Sequence, residues 1–594
     1  MDRSRFASAS LSEPSLAARV HRVGIAVMCT LGAIDAAYLR NWNVNPDGVS
    51  YVDLARAFAA HGPGALINGY WSPLYPGLLG SVIAIVKPSH AAMFGVVRTV
   101  GFGIFVCTTL AFAHLLRVAF GQPEFAAHPR RRLAAVVVAW ELYAVFVLKA
   151  ISLFLVTPDI GVAGVVFWTA AELITIAREP VSTGRWARLG TVLAVGYWWK
   201  AILFPVAGVM LLVAFAVALR RRDNRHGPFA SAVAFAALSL LLIVPVSRET
   251  GRLTFGETGR LNHLWFVAGA PQIVEACRET PEGGRLTIRL APVVSTVPLT
   301  CTLPDQWKES TLPMWYDPSW WYRDTSTPVR ASATFTTFLR DLGFVREALA
   351  DAAPWLSVSL LLVFVAALGA RPPTAHTWPL VVVGAATVMS YLLVYVELRH
   401  IVPFIVIGAV AALAALAARP SHWANVALAV LALSGAIDLA DHVGEPLLIE
   451  ASILRHEVRG DPRPQQGSEH LAALLHARGI EEGTRFATVN ALWNLDWAVR
   501  GGYVVRAYTP EYTVPFTKTF RELRDPCARA AWTARLADAG IGAALMLVPD
   551  PFRAPEGFDH LEDTDYYLMI IRPGTAATPA TGCASARPAT RSSS

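Results

Sequence analysis

The chain is poor in charge and poor in cysteine. Of its 594 residues only 16% are Asp, Glu, Lys or Arg, against about 25% in an ordinary soluble chain. With 54% hydrophobic residues and a mean hydropathy of +0.43, that deficit excludes a water-soluble enzyme with small cores. It also excludes disorder away from the termini. Six cysteines are too few for a disulfide scaffold, and no CxxC or Cys/His cluster suggests zinc. Walker A, GxSxG and HExxH motifs are lacking, which argues against an ATPase, an esterase and a zinc protease. No repeat of 20–50 residues is visible.

What the sequence has instead is long apolar runs. A bilayer-spanning helix needs roughly 17–25 mostly apolar residues, fewer where neighbouring helices shield it. Segments 22–39, 92–118, 133–149, 159–177, 188–200, 202–219, 229–246, 354–370, 378–395, 401–418 and 423–440 qualify, eleven in all. The run 73–86 is apolar but short, and it opens on the Pro-interrupted Trp71-Ser72-Pro73-Leu74-Tyr75-Pro76. It reads as an interfacial or re-entrant helix.

Charge supports that choice, because Lys and Arg gather in short cytoplasmic loops. With the N-terminus inside and eleven crossings, Arg19, Arg117, Arg130–Arg132, Arg178, Arg185, Arg220–Arg222, Arg371 and Arg419 all fall at the inner face. Counting 73–86 as a crossing would put most of them outside. The formal net charge of +7 is thus explained by anionic lipid headgroups and asks for no nucleic acid. The first span lacks a cleavage site and reads as an anchor, not a signal peptide.

The expected organisation is a cytoplasmic N-terminus (1–21) and a membrane module (22–440) with outer loops at 40–91 and 247–353. A small outer α/β domain (441–573) and a disordered tail (574–594) follow. In the α/β domain, His470–Gly479 and Ala528–Ala539 read as helices. Arg485–Val489, Tyr503–Ala507, Ala543–Val548 and Tyr566–Arg572 read as strands. Cys277 with Cys301, and Cys527 with Cys583, share outer segments where disulfides or free thiols are both open. Cys29 and Cys107 fall inside spans, where they read as buried.

Polar residues that can do chemistry cluster on the outer side. Asp47 follows the first span and precedes a helix-like run from Tyr51; on the residues alone it suits an N-cap first, with a general base or acid at the membrane surface as the alternative. Asp159 opens the fourth span after Thr157-Pro158. Lys200 ends Tyr197-Trp198-Trp199 between two apolar runs. Glu397, Arg399 and His400 occupy the link between the ninth and tenth spans, and Arg98 lies in the first turns of the second. Each alone suits an interface anchor. Together they offer carboxylates for a nucleophile and cations for a phosphate leaving group. The large loop is rich in Trp and Tyr, including Trp265, Trp307, Trp315 and Trp320-Trp321-Tyr322; these fit an interfacial belt or a saccharide groove.

The order of an N-terminal span, Asp47-Gly48-x-Ser50-Tyr51, and then Gly69-Tyr70-Trp71-Ser72-Pro73-Leu74-Tyr75-Pro76 resembles the first outer loop of GT-C glycosyltransferases. These membrane enzymes use polyprenyl-phosphate sugars and include protein O-mannosyltransferases and lipid A aminoarabinose transferases. Thr157-Pro158-Asp159 resembles the superfamily's second acidic position, Trp199-Lys200 its lysine between two short spans, and Glu397-Leu398-Arg399-His400-x-x-Pro403 its Arg-Tyr-x-x-Pro element. His400 stands in place of the usual Tyr.

The resemblance implies a GT-C-like polytopic α-helical protein with juxtamembrane helices, in the inner membrane of a bacterium with the C-terminal domain in the periplasm. It implies transfer with inversion from a polyprenyl-phosphate sugar to a lipid, glycan or protein acceptor hydroxyl. Asp47 would be the base, and Asp159 would orient the acceptor or hold a divalent ion. Lys200 and Arg399, with Arg98, would bind the donor phosphate. Tyr51, Trp71, Tyr75, Glu397 and His400 would contact acceptor or sugar. The rival readings are a transporter or flippase of a lipid-linked sugar and a non-catalytic envelope assembly protein. A transporter usually shows paired repeats with matching broken helices, whereas here the two outer loops are unlike one another.

Overall fold

The computed structural model describes residues 13–38, 44–122, 125, 127–221, 226–270, 292–303, 310–322, 329–359, 361, 376–419, 421–459, 467–492, 495–510, 515–549 and 552–572. Cys277, Trp307, Cys583, most of the expected span 354–370 and the expected tail 574–594 lie outside them.

Helix α1 (Glu13–Tyr38) is followed by α2 (Pro46–His61) and α3 (Leu74–Val86). Asn45 holds the extended cap position of α2 and Pro46 the first helical one, where a missing N–H costs nothing and φ is already set. Gly62 closes α2 at φ 80°, a left-handed value that favours glycine. Helix α3 has 13 residues, about 20 Å at 1.5 Å per residue, and falls short of the ~30 Å hydrocarbon core. It packs on α2, as expected of a helix that does not cross.

The bundle continues with α4 (Met93–Phe120), α5 (Pro129–Lys149), α6 (Asp159–Arg178), α7 (Thr183–Trp199), α8 (Leu203–Arg221) and α9 (Gly227–Thr250). The helices Trp378–Leu392, Leu398–Ala417 and His422–Arg459 complete it. Among the described residues seven helices are long and apolar enough to cross a membrane: α1, α4, α6, α8, α9, Leu398–Ala417 and the first half of His422–Arg459. The expected count of eleven is not confirmed among the described residues. Helix α5 carries Arg130–Arg132 and Glu141, while α7 and Trp378–Leu392 have only 17 and 15 residues. All three still stand inside the bundle, α7 against α9, α5 against His422–Arg459, and Trp378–Leu392 against Leu398–Ala417.

Most of α6 and Leu398–Ala417 is buried, whereas α1 and α9 turn most of their surface outward. Leu212, Phe229, Leu241, Trp423 and Leu433 are exposed, which suits acyl chains in place of water. Cys107 is exposed and Cys29 half-buried. Both were expected to be buried, but they sit on outward helix faces.

Beyond the bundle lies a seven-stranded sheet in the order β1-β2-β4-β3-β5-β7-β6. Strands β3 (Arg485–Val489), β4 (Val504–Tyr508), β5 (Ala543–Leu547) and β7 (Tyr566–Ile570) fall within a residue or two of the expected runs, and β6 is the pair Asp559–His560. Strand β3 pairs parallel with β4 and β5. Strands β1 (Val293–Thr296) and β2 (Leu299–Thr302) come from the large loop and join antiparallel beside β4. The sequence reading missed this hairpin, because its partner strand lies some 200 residues away. Cys301 on β2 takes part in a disulfide, and so does Cys527.

Candidate active site

One end of the bundle holds a cavity of about 340 Å³, within the ordinary range for a small-molecule site. Three stretches of loop build its roof. Asn68 Oδ1 accepts the Tyr70 and Trp71 N–H groups at 2.9 Å each, and its Nδ2 donates to the Tyr316 carbonyl at 2.7 Å. Trp71 Nε1 donates to the Trp315 carbonyl at 2.9 Å. Thr258 Oγ1 donates to the Tyr70 carbonyl at 2.6 Å. Segments 68–72, 257–267 and 312–322 are thereby interlocked.

Asp47 sits in the first turn of α2 and is not its N-cap. Its Oδ1 accepts the Trp315 indole N–H at 3.2 Å, and its Oδ2 lies 3.3 Å from Arg399 Nη2. Asn45 is not free to cap either: its Oδ1 accepts the Val156 N–H at 3.1 Å. The glycine after Asp47 is required by packing, since a Cβ on Gly48 would stand 2.5–2.7 Å from Val44 and Val156.

Asp159 begins α6. Its Oδ1 meets Lys200 Nζ at 2.5 Å and its Oδ2 accepts Thr157 Oγ1 at 2.9 Å. Lys200 is the extended residue that ends α7, so the break between α7 and α8 delivers its ammonium. The indole of Trp199 packs over Gly161, where a Cβ would approach within 2.2 Å, and its Nε1 donates to the Pro158 carbonyl at 2.5 Å. Arg399 binds the cluster together, with Nε 3.7 Å from Asp159 Oδ2 and 2.6 Å from Glu397 Oε2. Tyr395 donates its hydroxyl to Glu397 Oε1. Burial alone would raise the Glu397 carboxyl, but Arg399 beside it holds it below the usual range.

Three carboxylates thus face two cations, and they differ in access. The Asp47 side chain is 27% exposed and that of Asp159 only 1%. Asp47 can meet a second reactant; Asp159 is enclosed and fully partnered, and orients Lys200 and Arg399.

The walls are aromatic. Trp265 and Trp315 stack with ring centres 5.9 Å apart, and Phe266 stacks on Tyr395 at 4.0 Å. Tyr51 leans on Trp71 at 4.8 Å, and His400 stacks on Tyr391 at 5.3 Å. Burial, reinforced by Asp47, pushes the Tyr51 and Tyr70 phenols up, so both remain hydroxyl donors.

Of the residues expected at the site, Asp47, Asp159, Lys200, Arg399, Tyr51, Trp71, Glu397 and His400 line this cavity. Arg98 and Tyr75 do not. They line a smaller void beside Leu153 and Ile160, where Arg98 Nη1 donates to the Leu153 and Phe154 carbonyls. Held there through Nη1, the Arg98 guanidinium does not line the main cavity. Tyr70, Asn262, Trp265, Trp315, Tyr391 and Tyr395 also line the cavity; Trp265 and Trp315 were read only as part of an aromatic loop, Tyr70 only as part of a motif, and Asn262, Tyr391 and Tyr395 not at all. The richness of aromatics in the large loop was the available signal for the tryptophans; Asn262 gave none. Among the described residues no three His, Cys, Asp or Glu side chains gather to hold a metal, and the Arg399 guanidinium lies between Asp47 and Asp159. The donor set does not fit a divalent ion.

No family model matches the sequence, and no curated protein matches it either. Solved structures do resemble it. ArnT from Cupriavidus metallidurans in the apo state is 13% identical, with a TM-score of 0.48 over 95% of this chain and 99% of that one. The same protein bound to undecaprenyl phosphate gives 14% and 0.47 over 96% and 100%. The oligosaccharyltransferase of Archaeoglobus fulgidus in the apo form gives 12% and 0.47 over 88% and 69%. Both proteins are GT-C glycosyltransferases. The fold resembles theirs. Neither a family nor a reaction follows for this chain from a likeness of this size.

Proposed function

We propose that the chain is a membrane glycosyltransferase that moves a sugar from a polyprenyl-phosphate donor to an acceptor hydroxyl with inversion. The observation that carries this reading is the half-open Asp47 carboxylate, sharing one aromatic-walled cavity at the ends of the membrane helices with Lys200 and Arg399. Asp47 takes the proton of the acceptor hydroxyl as its oxygen bonds to the anomeric carbon. The bond from that carbon to phosphate oxygen breaks on the opposite face, and the lipid phosphate leaves with the electron pair. Lys200 has three N–H donors and Arg399 five, so both can turn to a phosphate while still touching their carboxylates. Positioned general-base catalysis is typically worth 10²–10⁴-fold, and loss of one electrostatic stabiliser costs about 3–4 kcal/mol. The faces of Trp265 and Trp315 suit the C–H faces of a sugar ring. In this reading the N-terminus is cytoplasmic and the cavity and sheet face the periplasm of a bacterial inner membrane, as the arginines suggest.

The test is transfer of radiolabelled sugar in membranes, wild type beside Asp47→Asn. Asparagine keeps the shape and can still accept from Trp315, but it cannot take a proton. Loss of transfer with unchanged expression and melting temperature is expected. Transfer at the wild-type rate would remove Asp47 as the base.

A further inference from the structure

Asp53 lies six residues beyond Asp47 on α2 and outside the cavity lining. It is a buried carboxylate, 3% exposed, that the chemistry above does not use. A charge taken out of water is costly unless donors replace the solvent. Here they come from a segment more than 250 residues away. Asp53 Oδ2 accepts Ser310 Oγ at 2.9 Å, Thr311 N–H at 2.8 Å and Leu312 N–H at 3.0 Å, and Arg56 Nη1 stands 3.9 Å from Oδ1.

The gripped residues lead directly into the helical turn Pro313–Tyr316. That turn carries Trp315, whose indole donates to Asp47 and whose carbonyl accepts from Trp71. On the other side of the same segment, Arg506 Nη1 donates to the Ser310 carbonyl at 3.4 Å. Arg506 sits where the pairing of β4 with β3 slips register, and such irregularities re-aim side chains. The Arg506 carbonyl accepts the Leu303 N–H at 2.9 Å. The approach of the loop is therefore fixed by the sheet at 303 and 310, and by α2 at 310–312.

We infer that Asp53 is a positioning residue for transfer: with Arg506 of the sheet it grips residues 310–312 and so sets the Trp315 indole against Asp47. This rests on Asp47 being the base. It also gives the outer sheet a part in the site, as the frame that holds one wall of the cavity. Misplacing a reacting group by about 1 Å can cost on the order of 100-fold in rate, without loss of substrate binding.

The test combines kinetics with a probe of Trp315 that does not need activity. In protein labelled with 5-fluorotryptophan, the fluorine resonance missing from Trp315→Phe belongs to Trp315. Asp53→Ala is expected to shift or broaden that resonance and to lower kcat on the order of ten- to a hundredfold, with donor KM little changed. Asp53→Asn, which keeps an acceptor oxygen, recovers part of both. Added to Trp315→Phe, Asp53→Ala causes no further loss of kcat, because residues acting through one contact are not additive. An unmoved resonance, or losses that multiply, would overturn the inference. Should Asp53→Ala fail to fold, Ser310→Ala removes one of the three donors and must move the same resonance, less far. If wild type transfers no sugar while the resonance moves, the grip stands and the glycosyltransferase reading falls.

Discussion

Lys200 Nζ stands 2.5 Å from Asp159 Oδ1, and the pair ties the break between α7 and α8 to the first turn of α6. Removing one partner of a buried pair typically costs about 3–5 kcal/mol, whereas replacing both by neutral groups costs much less. Lys200→Met leaves Asp159 with Thr157 and the more distant Arg399, so a loss of about 3 kcal/mol is expected. The double variant Asp159→Asn/Lys200→Met should be more stable than Lys200→Met alone. Thermal unfolding in detergent measures both, and a double variant less stable than the single one would show that the pair is not coupled.

The three cations expected to bind donor phosphate should separate. Arg399→Ala removes a guanidinium that lines the cavity, and it should weaken binding of a labelled polyprenyl phosphate by tenfold or more, the equivalent of about 1.4 kcal/mol. Arg98→Ala removes one that serves the Leu153 and Phe154 carbonyls. It should lower melting temperature and leave donor affinity where it was. Equal loss of affinity in the two variants would place Arg98 in the donor site after all.

The stacked indoles make a further distinction. An aromatic pair contributes about 0.5–1.5 kcal/mol beyond its burial, and Trp265 also packs on Tyr70 and Tyr322. Trp265→Ala should raise KM for sugar donor or acceptor several-fold with a smaller effect on kcat, since Trp265 does not touch Asp47. Trp315→Phe should do the reverse, keeping a ring on the wall while losing the N–H that Asp47 accepts. Steady-state kinetics on the two variants checks the contrast.

Much of this architecture was legible because local chemistry and global placement agree. Strand β3 was read residue for residue, because Phe486–Val489 is a short, mostly apolar run, buried throughout, and such a run bounded by turn residues reads as a core strand. Asp47, Asp159, Lys200 and Arg399 stood out as charges at the ends of apolar runs, and the helices bring all four to one cavity. The failures have a common cause in distance along the chain. Nothing near residue 98 says that the carbonyls of 153 and 154 will consume its guanidinium. Nothing near 293–302 announces a partner strand at 504–508, so the hairpin looked like loop. Asp53 was passed over because an acid within a helix is ordinary until the segment 310–312 is folded against it. The helix from His422 runs on to Arg459, well past the membrane limit that hydropathy set at 440, because a helix need not end where its apolar stretch does.

Orientation can be checked directly. In the proposed topology Arg221, at the end of α8, lies in the cytoplasm, and Gly467, at the start of a helix of the C-terminal region, lies outside. Single cysteines introduced at these two positions should label from opposite sides of the membrane with an impermeant thiol reagent. Labelling from the same side would mean an even number of crossings between them, and would remove the periplasmic placement of the cavity.

The last prediction concerns acid. Glu397 is held by Arg399 and by the Tyr395 hydroxyl, and its folded carboxyl lies below its ordinary value because Arg399 outweighs the opposing effect of burial. A carboxyl that binds its proton less readily when folded stabilises the fold fully above its unfolded value, about 4.3. That contribution is lost as pH falls through the lower folded value. Glu397→Gln should therefore melt below wild type at neutral pH, and the gap should close as pH drops below about 4. Other carboxylates also titrate there, so the quantity to read is the difference between the two melting curves across pH, in which they cancel. A gap that stays constant down to acid would mean that Glu397 carries no charge that Arg399 uses, and that Arg399 is held by Asp47 and Asp159 alone. In that case its guanidinium would be freer to turn toward a phosphate than the cluster suggests, and Glu397→Gln would leave donor affinity unchanged.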